Sequence, residues 1–512
     1  MRGWATALVA GLACGATACT SVPPPGPAPD LTALAEEPLE DRCVGAFQLA
    51  DHHTAIAGVR DAEAVRVAGH PYLRTDRFLA SFRDARLDEA GIRDWIAELR
   101  RLDREGRAVE IANLPASRRS DLAEGFLRLD LDGPPADVLE RCGALLAETT
   151  RTDPAAMAAL RTRVAVPDNY STARRIFGLY PLTAVGAVTG YDAWKREHLA
   201  VFDMDPEDIL VSGDLIAYGP NAAPVDAGEI RALVARAPRN GLGMPVFTEA
   251  ERARLFALYA PVFEIDVAGD FDRPGIPFLT ASDRAPLPAV RTEDAEVYGR
   301  LEYTRFQGEV LVQLVYTVWF SERPPDGGFD ILSGRLDGLT WRVTLAGDGT
   351  PLVYDSIHPC GCYHMFFPVP PTVRKPMPED DDAREAALVP AAAPELDPGE
   401  RIVVRLASRS HYIQAVGKTE GTAPVEGRYR LVLPAEPDGP LRMLDLPDGS
   451  GTRSLYDETG LVPGTERAER WLLWPMGIGS AGAMRQWGTH ATAFVGRRHF
   501  DDQDLLDRAF SR

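Results

Sequence analysis

Residues 310 to 320 limit this chain's fold more than any other stretch. Val310, Val312, Leu314, Tyr316, Val318 and Phe320 alternate with Leu311, Gln313, Val315, Thr317 and Trp319. A period of two is that of a strand, and here both alternating sets are largely apolar. Such a strand must be covered on both faces, which predicts a central position in a sheet. Leu339, Trp341, Val343 and Leu345 predict a second strand. Gly347-Asp348-Gly349 reads as a hairpin turn, and Leu352 to Ile357 returns as a third strand. Strand texture resumes at 401–416 and 427–433, and a short helix is expected around 504–510.

The first half has a different texture. Asp88 reads as an N-cap, followed by Ile92, Trp95, Ile96, Leu99 and Leu102 at helical spacing. Val138, Leu139, Cys142, Leu145 and Leu146 repeat the pattern, and Leu255, Phe256 and Tyr259 give a further helix. Ile176 to Val188 is more apolar and follows Arg174 and Arg175. It reads as a buried core helix kinked at Pro181, with contact to a membrane surface as the alternative. Asp203, Asp205 and Asp208 resemble a calcium loop, but Asp208 stands where the turn needs glycine, so a solvated loop before a strand is expected. Residues 370–400, rich in Pro, Ala and acid, read as an exposed excursion. The expected class is α+β: a mainly helical region over 31–270, then a largely antiparallel β-rich region over 271–512.

The N-terminus reads as an export signal: Arg2, then an apolar stretch from Gly3 to Ala18 that ends in small residues. It is shorter than the roughly 20 residues a membrane span needs. Ala16-Thr17-Ala18-Cys19 resembles the lipobox of bacterial lipoproteins, with Ala where Leu is usual. The resemblance implies cleavage after residue 18, lipidation of Cys19, and attachment to the cell envelope by an acyl anchor. Thr20, which is not Asp, implies by the same resemblance the outer membrane, facing the periplasm. Residues 19–30 form a Pro-rich tether, in which Ser21 to Asp30 favours an extended spacer. The alternative is an ordinary secretory signal.

Lys and Arg number 55 against 75 Asp and Glu, a net charge of −20. That balance argues against a nucleic-acid partner, which needs a basic face. The membrane, through the anchor, is the partner implied. Of six cysteines, Cys14 leaves with the signal and Cys19 takes the lipid. In an oxidising compartment Cys43 and Cys142 are candidates for a disulfide, although Cys142 also suits an apolar core.

Cys360 and Cys362 fall in the densest reactive window, His358-Pro-Cys360-Gly-Cys362-Tyr-His364. Three readings compete. The first is a transition-metal site, with His358, Cys360, Cys362 and His364 holding zinc or copper. A straight strand would spread these ligands over about 20 Å, so the chain must fold back at Pro359 and Gly361. The second is a disulfide clip, in a non-catalytic envelope scaffold or binding protein. The third is a thiol-dependent enzyme, with a Cys nucleophile, a His base and Asp355 or another carboxylate as orienter. Arg485, Trp487, His490, Arg497, Arg498 and His499 form a second cluster, suited to an anion or to completing the first. Gly477-Ile-Gly479-Ser-Ala-Gly482 matches the dinucleotide fingerprint by letter, but Pro475 and Gly488 leave no strand–turn–helix around it.

Overall fold

The computed structural model describes residues 26–222, 226–328, 330–376, 385–419, 426–433 and 440–512. The export signal, Cys14, Cys19 and most of the tether lie outside these residues, as do Asp380 to Asp382 of the acidic stretch.

The protein is α+β, with helices mostly in the first half and one large mixed sheet built mainly from the second. The helices that organise the first half are α1 (Leu39–Ala57), α2 (Glu89–Ala112) and α3 (Pro135–Thr152). Asp88 caps α2 as expected, its carboxylate accepting from the Gly91 amide at 2.8 Å. Trp95, Leu99 and Leu102 then face a core shared with Phe47, Leu139 and Leu146. Cys43 on α1 and Cys142 on α3 meet in that core and are joined by a disulfide.

A buried ion cluster backs the same core. Arg74, fully buried, donates to Asp103 at 3.1 Å and to Glu110 at 2.9 Å. Gly106 makes room for it: a Cβ there would stand 2.3 Å from the Arg74 guanidinium. Paired charges can be buried this way because each partner satisfies the other; removing one would cost about 3–5 kcal/mol.

The ten strands of the main sheet are β1 (Asp214–Pro220), β2 (Val262–Val267), β3 (Ala295–Phe306), β4 (Glu309–Arg323), β5 (Gly334–Leu345), β6 (Pro351–Ile357), β7 (Met365–Pro368), β8 (Ile402–Leu406), β9 (Ile413–Lys418) and β10 (Gly427–Val432). Their spatial order is β7-β6-β5-β4-β3-β10-β1-β2-β8-β9. Six of the nine pairings are antiparallel; β10 runs parallel to both β3 and β1, and β2 parallel to β8. β4, the strand with two apolar faces, lies between β3 and β5. Its even-numbered residues from Val312 to Phe320 join Trp341, Tyr354 and Phe367 in the main core. Its odd-numbered residues look the other way, onto a more polar face where Gln313 bonds Thr344 and Thr317 bonds Thr340. Two strands, β1 and β2, come from before residue 270, so the sheet draws on both halves of the chain.

Two segments differ from the sequence reading. Ile176 to Val188 is helical but not a core helix. It spans the end of α4 (Thr172–Phe177) and the start of α5 (Tyr180–His198), and neither helix buries a residue of its own. Within the stretch expected to stand clear of the body, Ala387 and Ala393 are buried and Leu388 bridges to Met365. Asp203, Asp205 and Asp208 occupy exposed turns ahead of β1.

Candidate functional site

β6 delivers the Cys/His segment, and β7 carries the chain back alongside it, with Ser356 opposite Met365 and Tyr354 opposite Phe367. Between them the turn closes by two backbone bonds, the His358 amide to the Cys362 carbonyl at 3.0 Å and the Gly361 amide to the His358 carbonyl at 2.8 Å. Gly361 has a φ of +88°, and a Cβ there would sit 2.7 Å from the Ala491 carbonyl oxygen. Only glycine fits this position without strain.

The fold-back that a metal site needs is therefore present, but it does not gather the four candidate ligands. Side chains alternate along β6, so His358 lies on the Tyr354 face. His364, just before Met365, lies on the Asp355 face. His358 Nδ1 is 3.2 Å from Asp337, which also meets His411 at 2.8 Å and Arg467 at 3.2 Å. His364 Nε2 is 2.9 Å from Asp355, and Asp355 is held by both arms of Arg342. Each imidazole is thus committed to its own carboxylate. Among the described residues, no three His, Cys, Asp or Glu side chains are disposed to hold one metal ion. The expected zinc or copper set of His358, Cys360, Cys362 and His364 does not fit a single ion in this geometry, because the register places its two imidazoles on opposite faces.

The electrostatics of the two histidines follow from burial. Desolvation holds His364 down to about 4, against the opposing pull of Asp355, so it is neutral at pH 7. Burial lowers His358 as well. Burial also works against charging His411, but its hydrogen bonds to Asp272 and Asp337 outweigh that and raise it. Asp337 is desolvated too, yet Arg467 and His358 hold its carboxyl well below the usual range.

Cys360 and Cys362 remain together. Both are free thiols, Cys360 buried and Cys362 partly open, and they line one crevice on either side of Gly361, close enough to divide their ionisation. The neighbouring thiol lowers Cys360, burial opposes it, and the Arg467 charge assists. Cys362, beside that thiol and itself desolvated, is pushed well up. Arg485 stands beside them, its Nε donating to the Cys360 carbonyl at 3.2 Å. The thiols line a small crevice of about 20 Å³ with Tyr191, His364, Glu385 and Arg498. On the polar face of the sheet, Pro359, Arg485 and His490 reach a larger cavity of about 230 Å³, which Glu63, Arg300 and Trp319 also line.

The third reading, a thiol enzyme, is half assembled. The Asp355–His364 pair exists, and the second ring nitrogen of His364 is buried without a partner. No hydrogen bond joins either thiol to a histidine among the described residues. Of the C-terminal cluster, Arg485 and His490 come to the turn and Arg498 lines the thiol crevice while donating to the Glu385 carbonyl, whereas Arg497 and His499 turn to Asp168. Sequence reasoning missed Asp337, Arg342, His411 and Arg467. Asp337 and Arg342 stand on β5 beside β6, while His411 and Arg467 come from far later in the chain, and only Arg342, inside the predicted strand, left a signal: a charge inside an apolar alternation.

Compared with known proteins, the chain matches no family model, no curated protein and no solved structure.

Proposed function

We propose that this is a lipid-anchored cell-envelope protein whose Cys360-Gly361-Cys362 turn is a thiol–disulfide exchange centre. The observation that carries the reading is the pair of free thiols held at one crevice by the tight Gly361 turn, with ionisation divided between a lowered Cys360 and a raised Cys362.

The chemistry follows from which sulfur is reachable and which leaves well. In the oxidised form a disulfide would join Cys360 and Cys362. A thiolate of a dithiol partner attacks the more accessible Cys362 sulfur, forming a mixed disulfide and releasing Cys360 as thiolate. Arg467 and Arg485 favour that departing charge, and a leaving thiol of low pKa leaves faster. The partner's second thiol then displaces Cys362. Two electrons and two protons pass from the partner to this protein, which ends as the dithiol, and the partner gains a disulfide. A ring closed across one residue is tight, which makes the disulfide form oxidising. The fixed Gly361 turn keeps the sulfurs adjacent in the reduced form.

The test is a redox titration of the full chain with thiols counted by alkylation. The expected result is one two-electron couple beyond that of the Cys43–Cys142 disulfide, absent in both Cys360→Ser and Cys362→Ser, with no bound metal. Retention of about one zinc or copper per chain, lost in Cys360→Ser, would restore the metal reading. Cys19→Ala tests the anchor separately: a variant that stays lipidated removes that part of the proposal.

A further inference from the structure

The outer side of α4 and α5 carries side chains that a chain of this acidity has little reason to expose. Phe177 is 71 % exposed, Leu182 72 % and Val185 66 %. Beside them runs α6 (Arg470–Leu473), continuing into a tight turn over Trp474–Met476, where Trp471 is 69 % exposed and Leu472 64 %. The two segments are tied together. Arg175 donates to the Met476 carbonyl at 2.8 Å, Arg174 to the Ile478 carbonyl at 3.2 Å, and the Ser171 amide to the Gly477 carbonyl at 2.8 Å. A Cβ on Gly178 would stand 2.5 Å from Pro475. Gly186 and Gly190, further along α5, have nothing within 4 Å of where a Cβ would be, so the helix stands proud of the body there. The inner side of α5 is packed: Trp194 lies 5.0 Å from the ring of Tyr363, next to the thiol turn, and His198 lies 4.9 Å from Tyr412.

We propose that this ridge is a membrane-docking surface, seated in the interface of an anionic phospholipid leaflet. Three observations choose a lipid surface over another occupant. The ridge is convex and rich in Trp, Phe and Leu, the side chains that settle at the headgroup boundary; it is not a groove for a peptide. Its charge is reversed relative to the chain. Residues 171–198 hold Arg174, Arg175, Lys195 and Arg196 against Asp192 and Glu197, a balance of 4 − 2 = +2, whereas the whole chain is −20. An anionic surface attracts the first and repels the rest, which orients the body ridge-first. Finally, the tether implied by the sequence is short: about ten residues at roughly 3.1 Å each hold the body within about 30 Å of the bilayer. This last point rests on the anchor reading above; the first two do not. Contiguous apolar exposure of this kind marks an interaction site. Docking there would also place α5 between the bilayer and the thiol crevice.

The test uses a chain beginning at Thr20. It keeps every described element and lacks Cys19, so its binding is independent of the anchor. Expected is co-sedimentation with phosphatidylglycerol vesicles at low salt, weakened at least tenfold by Leu182→Asp with Trp471→Ser. Leu127→Asp, another largely exposed apolar site on a different helix, leaves binding unchanged and controls for general hydrophobicity. Circular dichroism confirms that the variants fold. The proposal is overturned if the chain stays in the supernatant, if the double variant binds as well as the parent, or if sedimentation velocity shows a dimer that the double variant dissolves while vesicles bind neither. None of these results bears on the thiol couple or on lipidation at Cys19, each of which has its own assay.

Discussion

The protein holds two pairs of cysteines whose sulfurs meet, and they differ in almost every respect. Cys43 and Cys142 are 99 residues apart in sequence and are joined inside the apolar core of the helical half. Cys360 and Cys362 are separated by one glycine and are free, in a turn surrounded by charge. A link across a long loop removes much freedom from the unfolded chain and so stabilises. A link across one residue removes almost none, so its presence or absence is free to serve chemistry instead. The lesson is that spacing sets the thermodynamic role of a cysteine pair, and surroundings set its reactivity.

The sharpest way to break the contrast is to remove the long-range pair. Cys43→Ser with Cys142→Ser is expected to lower stability by about 4 kcal/mol, given a closed loop of nearly 100 residues. Urea unfolding reads this directly. Cys360→Ser with Cys362→Ser should change it by less than about 1 kcal/mol. Equal losses from the two double variants would erase the distinction.

The pairs should also differ in their response to pH. The long-range disulfide does not titrate, whereas the turn is flanked by His364, which is held at about 4. Its unfolded value is near 6.5, so below that pH the unfolded chain takes up a proton that the fold refuses. The contribution is complete above about 6.5 and is lost as pH falls toward 4, on the order of 3 kcal/mol. Unfolding at pH 7 and pH 4.5 should show a large fall in the parent and a smaller one in His364→Gln, whose amide still donates to Asp355. An unchanged pH slope in the variant would remove His364 as its source.

Gly361→Ala addresses the turn itself. With φ at +88° and a backbone oxygen 2.7 Å from the new Cβ, the substitution should cost about 1–3 kcal/mol. It should also separate the thiols enough to slow disulfide closure. A variant with parental melting temperature and closure rate would mean that the turn relaxes freely. The smallest effect on the thiols is expected at Arg467, whose loss also takes one partner from the buried Asp337 carboxylate. The arginine's charge favours the Cys360 thiolate, so Arg467→Met should raise the pH midpoint of iodoacetamide alkylation and slow the reaction at pH 7 by up to tenfold. A midpoint that stays or falls would assign the acidity to the neighbouring Cys362 thiol alone.

Particular elements mark how far sequence reasoning reached. The two-sided alternation of 310–320 places β4 at the middle of a sheet, because a strand apolar on both faces is stable nowhere else. The Asp88 cap and the stripe behind it locate α2 for equally local reasons. The same reasoning failed at 176–188. An apolar run with helical spacing tells that a helix forms, but not whether another element comes to cover it. β1 was expected only as an unplaced strand after the acidic loop, and β2 escaped notice, because short strands paired to partners some 140 to 210 residues later carry little periodicity of their own.

At the turn the division is similar. Residue types alone marked 358–364 as the reactive segment, and Gly361 and Pro359 implied that the chain folds back there. Which side chains meet was decided by strand parity: one residue more or less in the turn would have put His364 on the His358 face. That register, together with Asp337 and Arg342 from β5 and Arg467 from a C-terminal loop, separates the histidines and leaves the thiols side by side. Helical and strand periods, caps and turns act over a few residues and are written in the sequence. The partner of each buried charge, and the cover over each apolar face, depend on contacts between residues far apart in the chain, and these exist only once the sheet has formed.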